Sequence, residues 1–195
     1  MTRGAKIWIG IAAVFGTVVF LWGALSVTDT IQQFRLPSES MEPTYSVGDR
    51  VMVGRNGFPF GKVGRGDVVI TWAPSGASDE SPVECARQRP AAACEQATPG
   101  HTDVYFIKRI VAVGGDRVAI RGGRAVVNGK PLDEPYARLD DACETCNLPR
   151  EITIPPGQVF GLGDNRGNST DSRVYGPSPE DWIAGKVLFK YWSGD

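Results

Sequence analysis

Two hydroxyls and one amine carry the chemistry in this chain. Ser38 and Ser40 lie in Leu36-Pro37-Ser38-Glu39-Ser40-Met41-Glu42-Pro43-Thr44. Pro37 and Pro43 stiffen the backbone and disfavour a regular helix, so a hydroxyl between them can be held at a fixed place on a loop. A serine hydroxyl is a poor nucleophile without a base in hydrogen-bond reach, and that base is most often histidine. The chain has one histidine, His101, in the turn-like run Thr98-Pro99-Gly100-His101. The other base open to a serine is a lysine buried enough to lose its proton, and Lys108 lies inside the apolar run Val104 to Val113 with Arg109 beside it. These types point to acyl transfer by a serine and lysine pair. An ammonium has no lone pair for the serine proton, so a catalytic Lys108 must be neutral. Burial against Phe106 and Ile110 and the charge of Arg109 would both drive it that way, and activity is expected to rise toward alkaline pH. Local pattern alone fits a turn serine and a strand-end surface lysine as well.

More than the pair recurs. Pro37 to Thr44, Val47-Gly48-Asp49, Ile107-Lys108-Arg109-Ile110-Val111 and Gly163-Asp164-Asn165-Arg166-Gly167-Asn168-Ser169-Thr170-Asp171-Ser172-Arg173 together resemble type I signal peptidase, the membrane-bound serine protease that removes secretory signal peptides. The similarity covers Phe34 to about Val53, Gly66 to Asp116 with an interruption, and Gly161 to the end. It implies Ser40 as nucleophile, Lys108 as base, and an oxyanion site made by the Ser40 backbone N–H and the Ser38 hydroxyl. By the same resemblance Ser169 orients Lys108, while Asp164, Asp171, Arg109 and Arg173 supply supporting ion pairs. Shallow pockets for small side chains would be lined by Phe34, Leu36, Met41, Tyr45, Val51, Phe106 and Ile107, although core packing accounts for Val51 equally well. The substrate would add as a strand beside Phe106 and Ile107. Gly167 stands where the family commonly has an acidic residue, and Tyr105 where it often has a smaller or polar one. The implied partners are signal-peptide-bearing precursors and membrane lipid, with no metal and no cofactor.

The elements that must position these groups begin with a span. Ile7 to Val27 is a run of 21 residues without a charge, about 31 Å as a helix at roughly 1.5 Å per residue, the thickness of a bilayer core. Arg3 and Lys6 precede it and Asp29 follows, so the positive-inside bias places the N-terminus in the cytoplasm. The expected layout is a cytoplasmic tail over 1–6, a transmembrane anchor over 7–28, and an extracytoplasmic catalytic domain over 29–195, single-pass in a bacterial-type inner (plasma) membrane. A cleaved signal peptide is the alternative, with Ala24 and Ser26 spaced as at a cleavage site. Ser26 to Arg35 reads as a polar connector. Fully extended, Val27 to Ser40 reaches only about 45 Å, which keeps the nucleophile near the membrane and favours a substrate held in the same bilayer.

With 195 residues, 42% hydrophobic content and a net charge of -1, the chain has room for one domain with a sizeable core plus appendages. It has no electrostatic footprint for nucleic acid. Strand signatures run over 47–53, 66–72, 104–113, 117–121, 124–127, 151–154, 159–162 and 185–192, with hairpin signals at Gly122-Gly123 and Asn128-Gly129 and no three-turn amphipathic helix after the anchor. The fold class expected is mainly β, a signal-peptidase-like fold of antiparallel sheets with one N-terminal transmembrane helix. An insertion loop over about 73–102 and a shorter excursion over 140–150 interrupt it, as rim or surface elaborations.

Cys85, Cys94, Cys143 and Cys146 fall in a compartment expected to be oxidising, where an even count suggests disulfides. Three pairings are possible, of which Cys85 with Cys94 and Cys143 with Cys146 is the simplest. The C-x-x-C spacing of Cys143 and Cys146 also fits a redox pair or half a zinc site. Three other proteins are therefore conceivable: a peptidase dedicated to one pilin-like or conjugation-associated precursor, a self-cleaving repressor, and a membrane-anchored thiol-disulfide redox protein. The repressor needs a DNA-binding segment where this chain has its apolar span. Asn168-Ser169-Thr170 and Arg65-Gly66-Asp67 match glycosylation and adhesion patterns that ordinary turn chemistry explains. No oligomeric state follows from the sequence.

Overall fold

The computed structural model describes residues 30–55, 61–77, 93–139, 143 and 146–194. The expected tail over 1–6, the anchor over 7–28 and Cys85 lie outside the described residues. Among the described residues no helix is long and apolar enough to cross a membrane.

β-Branched runs bounded by glycine, proline and aspartate form two antiparallel sheets. The larger comprises β1 (Ile31–Arg35), β2 (Arg50–Gly54), β3 (Val68–Pro74), β4 (His101–Val113), β9 (Gln158–Leu162), β10 (Ser178–Pro179) and β11 (Ile183–Trp192). Its order is β1-β2-β11-β3-β4-β9-β10. The smaller, in the order β7-β6-β5-β8, comprises β5 (Arg117–Arg121), β6 (Arg124–Val127), β7 (Lys130–Pro131) and β8 (Leu148–Thr153). The two expected hairpins are present, with Asn128 at φ 52 and Gly129 at φ 77, the left-handed pair that a tight turn requires. A short helix, α1 (Ser172–Tyr175), is capped by the Asp171 side chain.

Burial alternates along the strands and divides the core. Val111, Ala112, Val118, Ile120, Phe160 and Leu162 join the two sheets. On one face of the large sheet Leu36, Met41, Val51, Val53, Ile70 and Ile107 cluster, and on the other Val69, Ile110 and Val159.

Three sequence boundaries move. Ile31–Arg35 is the edge strand β1 paired with β2, not a connector. Its half-buried Phe34 belongs to the core cluster, while Gln32, Gln33 and Arg35 keep the edge polar. The insertion is bounded more tightly than 73–102, because β3 runs to Pro74 and β4 starts at His101, which pair with each other. The excursion over 140–150 ends where Leu148, a buried residue, opens β8.

Candidate active site

The loop carrying Ser38 and Ser40 is fixed at its base and at its tip. At the base Leu36 N donates to Asp49 O (2.9 Å) and Gly48 N to Leu36 O (2.8 Å). Asp49 is wholly buried. It accepts from Ser46 N (2.9 Å), Gly194 N (2.9 Å) and Lys190 Nζ (3.0 Å). Burial alone would raise its pKa, but these donors outweigh burial and hold its carboxyl below the usual range. At the tip Asn165 N donates to Ser40 O (3.0 Å) and Asn165 Nδ2 to Glu39 O (3.1 Å), while Asn168 Nδ2 donates to Glu39 Oε2 (3.0 Å). The Ser38–Ser40 loop thus leans on the 163–173 loop. Gly163 permits that approach, since a Cβ there would stand 2.2 Å from Ser169 Oγ and 2.5 Å from Ser40 O.

Lys108 enters from β4 opposite Val69. The alternation that sends Ile107 into one cluster sends Lys108 to the face of Val69 and Ile110. Its Nζ donates to Ser40 Oγ at 3.3 Å, and Ser38 Oγ lies 3.2 Å from the same Ser40 Oγ. Ser40 is 8% exposed and Lys108 4%. Loss of hydration is the main reason the lysine pKa falls to about 8; Asp171 and Asp164 oppose that fall and Arg173 assists it. Arg173, not the adjacent Arg109 of the sequence reading, is the cation involved. Arg109 points to the opposite face and is neutralised by Asp164, with Nε to Oδ1 at 2.9 Å and Nη2 to Oδ2 at 2.7 Å. Its guanidinium also covers the Tyr136 ring at 3.9 Å. Thr44 Oγ1 donates to the same Asp164 carboxylate at 2.5 Å.

Asp171, Arg173 and Ser169 lie in and just before α1. Arg173 holds Asp171 with two parallel bonds, Nε to Oδ1 and Nη2 to Oδ2, each 2.8 Å. Asp171 Oδ2 also accepts Gly163 N (3.0 Å). Ser169 lies beside Gly163, but its buried Oγ makes no hydrogen bond, to Lys108 or to any other described residue. Sequence reasoning missed the pair Arg166 and Glu134, both without side-chain exposure. Arg166 Nη2 donates to Glu134 Oε1 (2.6 Å) and its Nε to Gly163 O (3.0 Å), and its Nη1 bonds Gly123 O in the β5–β6 turn. Glu134 Oε2 in turn accepts Ala125 N (2.8 Å). This pair ties the small sheet to the glycine that meets Ser40. Arg166 stood in the recognised block, whereas nothing in spacing pointed to Glu134.

Both cysteine excursions reach α1. Cys143 and Cys146 form a disulfide, and Arg173 Nη1 donates to their sulfurs at 3.4 and 3.5 Å. Cys94 is disulfide-bonded and its sulfur lies 3.0 Å from Val174 O, while Thr98 Oγ1 donates to Tyr175 O (3.0 Å). Among the described residues no cysteine is free and no His/Cys/Asp/Glu group suits a metal.

Beside the Ser40 hydroxyl a cleft of about 420 Å³ is lined by Phe34, Leu36, Ser38, Ile70, Phe106 and Ile107, among others. Met41, Tyr45 and Val51 are not among its lining residues. Met41 and Val51 are wholly buried in the cluster with Leu36 and Ile107, and Tyr45 packs against it. Phe34 meets Tyr105 edge-on (5.2 Å between centroids), and Trp72 stacks on Tyr105 (4.0 Å). His101 is exposed and stacked on Trp72 (5.4 Å).

A family described as signal peptidase, peptidase S26, matches this chain over residues 7–192. A signal peptidase I of Leptolyngbya laminosa is 31% identical over 170 residues, covering 87% of this chain and 73% of the relative. A signal peptidase IB of Staphylococcus aureus is 31% identical over 199 aligned positions, covering 95% of this chain and 88% of the relative. A crystal structure of a signal peptidase I from Enterococcus faecalis shares 22% identity, with a TM-score of 0.43 over 66% of this chain and 97% of that one.

Proposed function

The chain belongs to the signal peptidase family, peptidase S26, a family of serine peptidases that cleave signal peptides, and from that premise we propose that Ser40 and Lys108 are its catalytic pair. The contact that supports this is a buried amine 3.3 Å from a serine oxygen. Neutral Lys108 takes the proton of Ser40 as Oγ attacks the carbonyl carbon before the scissile bond. The Ser40 backbone N–H and the Ser38 hydroxyl, whose Oγ lies 3.2 Å from Ser40 Oγ, are assigned to the developing oxyanion as its hydrogen-bond donors. Lys108, now an ammonium, returns the proton to the departing amine, which leaves an ester on Ser40. Water deprotonated by Lys108 then hydrolyses the ester and restores the hydroxyl. A substrate strand fits beside β4, where β9 pairs only from Arg109 onward and leaves the Phe106–Ile107 backbone open on that side. Side chains of residues before the scissile bond would enter the cleft between Leu36 and Ile107.

Ser169 belongs to the same proposal. Its buried, unpartnered hydroxyl beside Gly163 is assigned as a hydrogen-bond partner of the Lys108 amine during the reaction. An anchor over 7–28 would hold the cleft near a bilayer in which the precursor's own apolar segment resides, with the N-terminus cytoplasmic. The test is cleavage of a signal-bearing precursor by Ser40→Ala and Lys108→Ala enzymes. Neither is expected to cleave while both keep the wild-type circular dichroism spectrum, and turnover by either one would refute the assignment. A redox role for Cys143 and Cys146 has less support, because Arg173 and the Arg166 backbone cover their sulfurs.

A further inference from the structure

The Cys143–Cys146 disulfide touches Arg173, a group that shapes the electrostatics of Lys108. Arg173 has five N–H donors in a fixed fork. Nε and Nη2 are used on Asp171, and Nη2 also reaches Ser169 O at 3.3 Å. Nη1 is directed at the two sulfurs, 3.4 and 3.5 Å away. The side chain is fully buried, as is that of Asp171, so water does not satisfy Nη1 in place of sulfur, and an orphaned charged donor is costly.

We propose that the Cys143–Cys146 disulfide is a positioning element of the reaction: by occupying the outer N–H groups of Arg173 it holds the guanidinium on Asp171, and so fixes the charge that Lys108 faces. The inference rests on Lys108 being the base. Four titratable groups face the amine from the elements packed on it: Asp164 and Asp171 from the 163–173 loop, Arg173 and Tyr175 from α1. Arg109, next on β4, is spent on Asp164. Tyr175 is held neutral, because burial pushes its phenol far up. The balance therefore turns on how fully Arg173 cancels Asp171. An Arg173 released from the sulfurs leaves Asp171 partly uncompensated, and an uncompensated carboxylate favours the ammonium form of Lys108.

The experiment replaces the sulfurs and reads the pH dependence of kcat/KM on full-length enzyme with a signal-bearing precursor. In Cys143→Ala/Cys146→Ala the alkaline midpoint is expected to move up by about 0.5–1 pH unit, a roughly three- to tenfold loss at pH 7, with the alkaline plateau kept. Cys143→Ser/Cys146→Ser, which retains two acceptors in place, should fall between this variant and wild type. A uniform loss at every pH with an unmoved midpoint would overturn the proposal, since a merely structural bridge behaves that way. If neither variant folds, the midpoint is read on wild-type enzyme reduced with dithiothreitol, with the Cys143 and Cys146 thiols verified by alkylation and mass spectrometry, and the same criterion applies. Lys108→Ala enzyme run alongside separates the two ideas. Its activity would sink the catalytic pair itself, whereas an inactive Lys108→Ala with an unmoved midpoint in the sulfur variants sinks only the role of the disulfide.

Discussion

Replacing Lys108 by Met should make the protein more stable while abolishing catalysis. Burial of the amine brings its pKa from 10.5 to about 8, and a fall of about 2.5 units at 1.36 kcal/mol each is a penalty of roughly 3 kcal/mol. The pH window follows from those two values. Below about 8 the amine is protonated both folded and unfolded, so the folded protein bears the whole cost. Between about 8 and 10.5 only the unfolded chain still binds the proton, the cost fades, and wild-type stability climbs with pH. Methionine has a similar length and no charge to desolvate, and it leaves Ser40 Oγ with Ser38 as neighbour. Urea unfolding of full-length protein in mild detergent should therefore show the variant ahead by up to about 3 kcal/mol at pH 7, with the gap narrowing by about 2 kcal/mol at pH 9.5. A gap that stays constant across that range, or a wild type more stable than the variant at pH 7, would refute the claim that the amine is buried at a cost.

Other substitutions probe the surroundings. Gly163→Ala should lower stability by about 1–3 kcal/mol in thermal melts and depress turnover, because its methyl would enter the space of Ser169 Oγ and Ser40 O. Glu134→Ala strands Arg166 as a buried unpaired cation, and a loss of about 3–5 kcal/mol by urea titration is expected. Ser38→Ala should cost about 100- to 1,000-fold in kcat with KM little changed, as measured on a peptide substrate. His101→Ala, at an exposed ring remote from the pair, should leave kcat/KM within about twofold.

Much of the site was legible because its chemistry is local in sequence. The proline-flanked serines and the lysine set in an apolar run drew attention by type, the recurring blocks around them set them apart from a turn serine and a surface lysine, and the hairpin glycines follow from backbone sterics alone. Which cation faces Lys108 was not legible. Arg109 is adjacent in sequence, but successive residues of a strand point to opposite faces, so the more distant Arg173 takes that place. Met41 and Val51 were expected at the cleft, and their complete burial shows them beneath it; an apolar residue looks the same in sequence whether it lines a pocket or supports one. β1 escaped notice because an edge strand with one half-buried aromatic lacks the alternation of a two-sided strand. Glu134 escaped because a partner 32 positions from Arg166 leaves no periodic trace.

The neighbours Lys108 and Arg109 owe their different fates to parity alone. One added or deleted residue within the paired length of β4 would turn each to the opposite face of the sheet, taking the titratable amine off the side it shares with Val69 and Ile110 and away from Ser40. Changes of length can be absorbed only outside that ladder. The long excursion leaves from Pro74 and returns at His101, where the β3–β4 pairing ends, so the chain can lengthen or shorten there without moving either cation to the wrong side.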